Sequence, residues 1–217
     1  MRQFTIRLTP STPGFHSVDG AIAECRAVTR ESFLHLNLLN DGTGVALYRL
    51  RGDADALKAV LADSEAVLSF DVFDATREQF HAHVHFEPDD PATALLTLAD
   101  EHKLIIDTPL EFTGEGSLKL TLAGAQDRIR RAFAGLPESV TVWLERTGEY
   151  DPDREALRAA LTSRQREVLD VALDLGYYEN PRAATHADIA AELDCAAGTV
   201  GEHLRKAEGA VLSELRR

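Results

Sequence analysis

The sequence is poor in cysteine, and it lacks any long apolar run. Only Cys25 and Cys195 are present, which excludes a disulfide framework, and both are expected to be small buried side chains. No apolar run reaches the roughly 18 residues that a membrane-spanning helix needs. The first eight residues alternate between polar and apolar, which indicates a strand rather than a signal peptide. We therefore expect a soluble, cytoplasmic protein.

Lysine is also scarce, in a chain that is acidic overall. The 217 residues include 36 acidic and 23 basic side chains, a formal net charge of −13, and only four of the basic residues are lysine. An acidic, lysine-poor composition resembles that of proteins from extreme halophiles, whose carboxylates stay hydrated in molar salt. The alternative is an ordinary acidic protein from a GC-rich genome. In a halophile, surface charges would act over short distances, because the Debye length at 1 M salt is only about 3 Å.

Motifs for catalysis are missing as well. We find no glycine-rich phosphate loop, no Ser-His-Asp pattern and no paired acidic motif, so we expect neither an enzyme nor a bound cofactor. One pattern could bind a metal: His81, His83 and His85 alternate along a predicted strand, which places the three imidazoles on one face. The Cα atoms of successive histidines are about 6.5–7 Å apart, so a single metal would bind two of them more easily than all three. A solvated or subunit-facing sheet surface explains the same row.

Two regions of different periodicity divide the chain. Residues 1–150 alternate like strands with helical interruptions, and residues 151–217 are helical only. Gly148, Asp151 and Pro152 mark the break between them. The chain is long enough for one medium domain or two small ones.

The first region contains an internal duplication. Residues 1–76 predict the order β-α-β-β-α-β, and residues 77–150 predict the same order again. This order is typical of a ferredoxin-like unit with helices on one face of its sheet. The tandem arrangement resembles ligand-sensing ACT-like domains, a likeness of topology alone that does not establish function. We expect an α+β fold with two such units, and one continuous mixed sheet is the alternative.

The second region predicts three helices with clear start signals. Thr162 and Gln165 have the spacing of a capping box, and Thr185 and Asp188 repeat it at the next helix. Gly176 is expected to end the first helix. The second helix is predicted at 187–193 and the third at about 197–215, after a tight turn. A short turn between two helices, with a support helix before them, is the helix-turn-helix layout that places a recognition helix in the major groove.

This region resembles a known family of regulators. The residues that carry the resemblance are Leu161 to Leu169, Gly176 to Tyr178, Ala190 to Leu193, Thr199 with Val200, and Glu202 to Glu208. Together they are similar to the C-terminal helix-turn-helix of haloarchaeal bacterio-opsin activator (Bat)-type regulators. The resemblance implies a DNA-binding transcription regulator, and it agrees with the halophilic composition. It covers about 55 residues, a quarter of the chain.

The chain departs from that family where DNA would be read. The turn and the start of the recognition helix often carry Gly, Ser, Lys and Ser, and here they carry Asp194, Ala196, Ala197 and Gly198. Fewer donors to phosphates and bases are left. Thr199 could contact a phosphate or a thymine methyl group, Glu202 could accept from cytosine, and Arg205 could pair with guanine. The expected DNA-binding residues are Thr185, Thr199, Gly201, Glu202, His203, Arg205 and Lys206.

Charge weighs against DNA in ordinary salt. Residues 151–217 contain 13 acidic and nine basic side chains, whereas most DNA-binding domains are basic. In molar salt the gain from counterion release largely disappears, so this objection loses force.

We expect a DNA-binding homodimer, in which the C-terminal helix and a sheet face around Trp143 form the contacts between subunits. We also expect a small-molecule effector, bound either between the two β-α-β-β-α-β units or at the dimer seam. A module that docks on another transcription factor and a metal-binding protein are the alternatives.

Overall fold

The structure is a computed structural model that describes residues 1–74, 79–114, 116–151, 157 and 160–214. The chain divides into two compact units, Met1–Tyr150 and Asp151–Arg217, which we name the N-terminal and the C-terminal unit. Within the described residues, no helix is both long enough and apolar enough to cross a membrane.

The N-terminal unit contains one eight-stranded antiparallel sheet and four helices. Their order along the chain is the predicted one, β-α-β-β-α-β twice. The strands are β1 Arg2–Pro10, β2 Val28–Leu38, β3 Gly44–Gly52, β4 Val67–Phe73, β5 Gln79–Phe86, β6 Ile105–Phe112, β7 Leu118–Gly124 and β8 Val140–Glu149. The helices are α1 Ser17–Glu24, α2 Ala54–Asp63, α3 Asp90–Glu101 and α4 Gln126–Ala134.

Strand order in this sheet differs from that of two closed ferredoxin-like units. The order is β4-β5-β3-β2-β6-β7-β1-β8, with every neighbouring pair antiparallel. In a closed unit the first strand lies between the third and fourth strands of its own unit. Here β5 lies between β3 and β4, and β1 lies between β7 and β8. The predicted α+β class is confirmed, and the tandem ferredoxin-like detail is not confirmed: one continuous sheet is present.

Alternation along the strands explains which sheet face carries the core. On β5, Phe80, Ala82, Val84 and Phe86 are fully buried, and the histidines between them point to the other face. Helices α1 and α2 cover this core with Val18, Ile22, Leu57 and Leu61, each at most 1% exposed. Apolar side chains at every second position of the strands and at every third or fourth position of the helices therefore form one shared apolar layer.

A buried polar cluster ties the start of α1 to the sheet. The Arg30 Nη1 atom lies 2.5 Å from the Asp19 Oδ2 atom, and their side chains are only 8% and 0% exposed. The same Oδ2 atom accepts from the Phe15 backbone N–H at 2.9 Å. His16, the N-cap of α1, accepts from the Asp19 backbone N–H through Nδ1, and its Nε2 lies 3.2 Å from the Tyr48 hydroxyl. The sequence patterns did not point to this cluster.

The C-terminal unit is a three-helix module with its own small core. Its helices are α5 Ser163–Asp174, α6 His186–Glu192 and α7 Ala197–Glu214. Their apolar faces meet at a shared set of buried side chains: Val168, Ala172, Ile189, Ala190, Val200 and Leu204. These boundaries agree with the predicted helices to within about one residue, and the predicted end at residue 215 lies outside the described residues.

Both predicted capping boxes are present in this unit. The Thr162 hydroxyl accepts from the Gln165 backbone N–H, and the Gln165 side chain accepts from the Thr162 backbone N–H at 2.9 Å. At α6, the Asp188 carboxylate accepts from the Thr185 N–H and from the Thr185 hydroxyl. These hydrogen bonds lower the pKa of Asp188. Gly176, with φ of +75°, follows α5 in the left-handed conformation that favours glycine.

Candidate nucleic-acid interface

The turn between α6 and α7 is tight although it contains no glycine. Asp194 has φ of +47°, a left-handed conformation that aspartate tolerates better than most residues. The Cys195 backbone N–H donates to the Ala190 carbonyl at 3.0 Å, and Arg164 donates from α5 to the Leu193 carbonyl. The turn is therefore fixed by backbone hydrogen bonds and by one side chain from the support helix, and it sets the direction in which α7 leaves it.

Helix α7 has an inward and an outward face. Val200, Leu204 and Ala207 recur at the helical period and are at most 2% exposed. The residues on the opposite side are exposed, and they include most of the predicted DNA contacts: Thr199, Glu202, Arg205 and Lys206. A helix that buries one face against α5 and α6 leaves this other face available to a partner.

Glu202 and Lys206 form an ion pair on the outward face. Their side chains lie 2.7 Å apart at i,i+4 spacing. The hydrogen bond from Lys206, with its positive charge, lowers the pKa of Glu202. Arg205, by contrast, is exposed and makes no hydrogen bond or ion pair within the described part of the chain. Of the two cations among the described residues of α7, Lys206 is paired with Glu202 and Arg205 is not.

Three predicted site residues lie away from the outward face of α7. A Cβ atom on Gly201 would be 3.2 Å from the Cε1 atom of His186, so this glycine faces α6 and allows the two helices to approach closely. His203 is half-buried. Thr185 is exposed at the start of α6, where its hydroxyl donates to Asp188.

An aromatic cluster precedes α6. The Tyr177 ring stacks on His186 with 5.1 Å between centroids, and the Tyr177 hydroxyl lies 2.8 Å from the His186 Nε2 atom. The Arg182 guanidinium lies over the Tyr177 ring, 4.2 Å from its centroid. The Tyr178 hydroxyl donates to Glu208 of α7 at 2.6 Å. Burial, with this hydrogen bond second, raises the pKa of Tyr178.

Helix α7 also contacts this cluster. On α7, Gly201 packs against His186, and Glu208 accepts from Tyr178. Arg205 follows Gly201 by four residues and precedes Glu208 by three, so it is a neighbour of both along the helix surface. The sequence predicted only a connector at 177–182. The two adjacent tyrosines near one arginine were the signal in the sequence that could have indicated this cluster.

The histidine row is a surface of the other unit. His81, His83 and His85 lie on the sheet face opposite the core, as predicted. His85 Nε2 lies 2.8 Å from the Thr43 hydroxyl, and His81 Nδ1 lies 3.8 Å from Asp74. Among the described residues, no three potential ligands lie close enough to hold a metal ion.

Both units match known protein families. Residues 16–150 match the family described as HVO_0513_N, N-terminal. The chain belongs to that family. Residues 161–213 match the family described as HTH DNA binding domain, so the C-terminal unit is a helix-turn-helix DNA-binding domain, and the resemblance to Bat-type regulators is confirmed.

Two relatives come from the halophile Haloferax volcanii. One, named as a putative transcriptional regulator, is 35% identical over 124 residues, which cover 54% of this chain and 21% of the relative. The other, transcriptional regulator NarO, is 45% identical over 58 residues, which cover 27% of this chain and 28% of the relative. The chain thus spans about a quarter of the length of these relatives. The family matched by the C-terminal unit and the names of both relatives point to transcription regulation.

Proposed function

We propose that this protein is a haloarchaeal transcription regulator that inserts α7 into the major groove of double-stranded DNA. The outward face of α7 carries the proposal, because it presents Arg205 unpaired beyond a rigid turn. The N-terminal half of a recognition helix is the part that contacts base edges. The N-terminal unit then serves sensing, dimerisation or both.

Each polar group of the interface has a distinct role in this proposal. Arg205 donates to the O6 and N7 atoms of a guanine. Thr199, at the start of α7, contacts a phosphate or a thymine methyl group. Glu202 and Lys206 must break their ion pair before they contact DNA. Each therefore contributes less to the free energy of DNA binding than an unpaired charge would. Thr185 and Arg182 face the phosphate backbone.

The first prediction concerns Arg205. Replacing it with alanine is expected to weaken binding to a genomic target by about 1–3 kcal/mol and to relax sequence preference at one base pair. The fold should be unchanged because the side chain is exposed. The measurement is fluorescence anisotropy in molar KCl, with DNA fragments recovered by chromatin immunoprecipitation. Arg205→Lys is the matched control, since it keeps the charge and loses the two-pronged contact.

Arg182→Ala is the comparison arm of that experiment. If Arg182 binds phosphate, its loss weakens binding to all sequences alike. It also reduces the slope of log affinity against log salt concentration by about one. Sequence preference at every base pair should then stay the same. Unchanged affinity of both arginine variants, with intact helices by circular dichroism, would contradict the assignment of this face to DNA.

A second candidate function is docking on another transcription factor. The acidic composition of the C-terminal unit and the Glu202–Lys206 pair favour it, because few free cations remain for DNA. Purified protein separates the two: direct binding to recovered fragments supports DNA recognition, whereas recovery of the fragments only through a partner supports docking.

We also propose that the two halves of the sheet are ferredoxin-like units that have exchanged their first strands within the chain.

We propose further that two copies of the chain form a dimer. Trp143 on β8 and Leu212 on α7 are 56% and 65% exposed, which suits a seam. Two linked recognition helices would multiply a weak individual affinity through effective concentration. Light scattering in molar KCl is expected to show twice the chain mass of 23.8 kDa. A stable monomer that binds its target one-to-one would refute the dimer.

A further inference from the structure

An apolar cavity lies between the sheet and helices α3 and α4. Its volume is about 100 Å³. Its floor comes from β2, β6, β7 and β1, which are consecutive neighbours in the sheet, and its roof comes from α3, α4 and the segment after each helix. Most of the side chains that line it are leucines, and the remainder are almost all apolar.

In the other half of the same unit, helix α2 is closely packed on the sheet. On α2, Leu57 and Leu61 are at most 1% exposed, as expected for a close-packed protein interior. Over the cavity, by contrast, the roof residues Leu98, Ala99 and Phe133 are only partly buried, although Ala132 of the same roof is buried. The two halves have the same order of helices and strands, so the difference arises from how the second pair of helices sits on its strands.

The cavity offers almost nothing to a charged or polar molecule. His16 is the one polar side chain among the described residues that line it. Both of its ring nitrogens have partners within the protein, the Asp19 backbone N–H and the Tyr48 hydroxyl. Burial lowers the pKa of His16, which keeps the ring neutral. A ligand here therefore meets a hydrocarbon wall and the edge of an uncharged imidazole.

We propose that this cavity binds a small, uncharged, apolar molecule of about the size of one aromatic ring or a short branched hydrocarbon. An empty apolar cavity costs stability in proportion to its volume, and an apolar occupant restores the missing contacts. An engineered cavity of about 150 Å³ with a similar lining stays dry and binds benzene or xenon. The site belongs to the N-terminal unit alone, so the inference goes beyond DNA recognition and does not depend on it.

Benzene is the probe, and the full-length chain in molar KCl is the sample. Titration is followed by methyl NMR, with Leu118, Leu120 and Leu122 of β7 as reporters at the cavity and Leu57 and Leu61 of α2 as reporters in the packed half. We expect saturable shifts at β7 and none at α2. Ala99→Leu, which adds three carbon atoms at the roof, should weaken binding by at least about tenfold. Ala62→Leu on the exposed side of α2 is the matched control and should bind like the native chain.

Three outcomes would overturn the proposal. They are the absence of saturable shifts at β7, equal shifts at α2 and β7, and undiminished binding by Ala99→Leu. Leu98→Phe tests the same wall should Ala99→Leu fail to fold, and loss of saturation in that folded variant supports the proposal. DNA binding is not measured in this experiment, so its result stands whatever the C-terminal unit recognises.

Discussion

Replacing Asp19 with alanine is expected to lower the free energy of unfolding of the N-terminal unit by about 3–5 kcal/mol. The substitution leaves the Arg30 guanidinium buried without its carboxylate, because the Arg30 side chain is only 8% exposed. It also removes the acceptor for the Phe15 backbone N–H at the entry to α1. Breaking one partner of a buried ion pair costs more than the pair contributes, since an uncompensated charge remains in the interior.

Urea denaturation at constant KCl measures this effect. Trp143 is the only tryptophan in the chain and lies on β8, so its fluorescence reports the N-terminal unit alone. The control is the double variant Asp19→Leu with Arg30→Met, which removes both charges and keeps apolar bulk. It should be much less destabilised than Asp19→Ala. A loss below about 1 kcal/mol in the single variant would show that water reaches Arg30 and that the pair is a surface one.

The second large effect is expected in the C-terminal unit. Leu204→Ala should cost about 2–5 kcal/mol, because Leu204 is 2% exposed at the centre of a core of only a few side chains. A module this small has little stability to spare, so the variant should lose both its helices and its binding to DNA. The fluorescence of Trp143 should be unaffected, since the two units have separate cores.

Hydrogen exchange measured by mass spectrometry tests this prediction directly. Peptides from α5 and α6 should lose protection in Leu204→Ala, whereas peptides from β3 and β5 should keep it. Leu173→Ala on α5 provides the matched control in the same unit, since Leu173 is 55% exposed. That variant should change stability by no more than about 0.5 kcal/mol. Equal losses in the two leucine variants would mean that α7 packs differently from the arrangement described above.

Local patterns in the sequence determined the elements of this protein. Alternation predicted the strands, helical periodicity predicted the helices, and the two capping boxes marked the starts of α5 and α6. The helix-turn-helix was recognisable for the same reason, since its caps, its turn and its apolar positions all lie within about 55 residues. Each of these signals depends on neighbours a few residues apart, and such neighbours are visible in one dimension.

Some of the candidate site was visible in the same way. Exposure of Thr199, Glu202, Arg205 and Lys206 follows from the helical period of α7, and so does the spacing of the Glu202–Lys206 pair. The role of Gly201 was not visible, because it depends on the approach of His186 from another helix. The position of Arg182 over Tyr177 was not visible either, because it depends on the path of a connector without regular structure.

Only the tertiary structure decided which strands pair. Two equivalent first strands, β1 and β5, each have apolar residues on alternate positions, and either could fill either slot between a third and a fourth strand. Alternation specifies which face a strand buries, but it does not specify which strand lies beside it in the sheet. The cavity under α3 and α4 depends on that choice, because β1 forms part of its floor. The buried cluster of His16, Asp19, Arg30 and Tyr48 depends on how α1 packs on β2 and β3. Both are assembled from residues far apart in the chain, whose contacts depend on how whole elements pack rather than on any local signal.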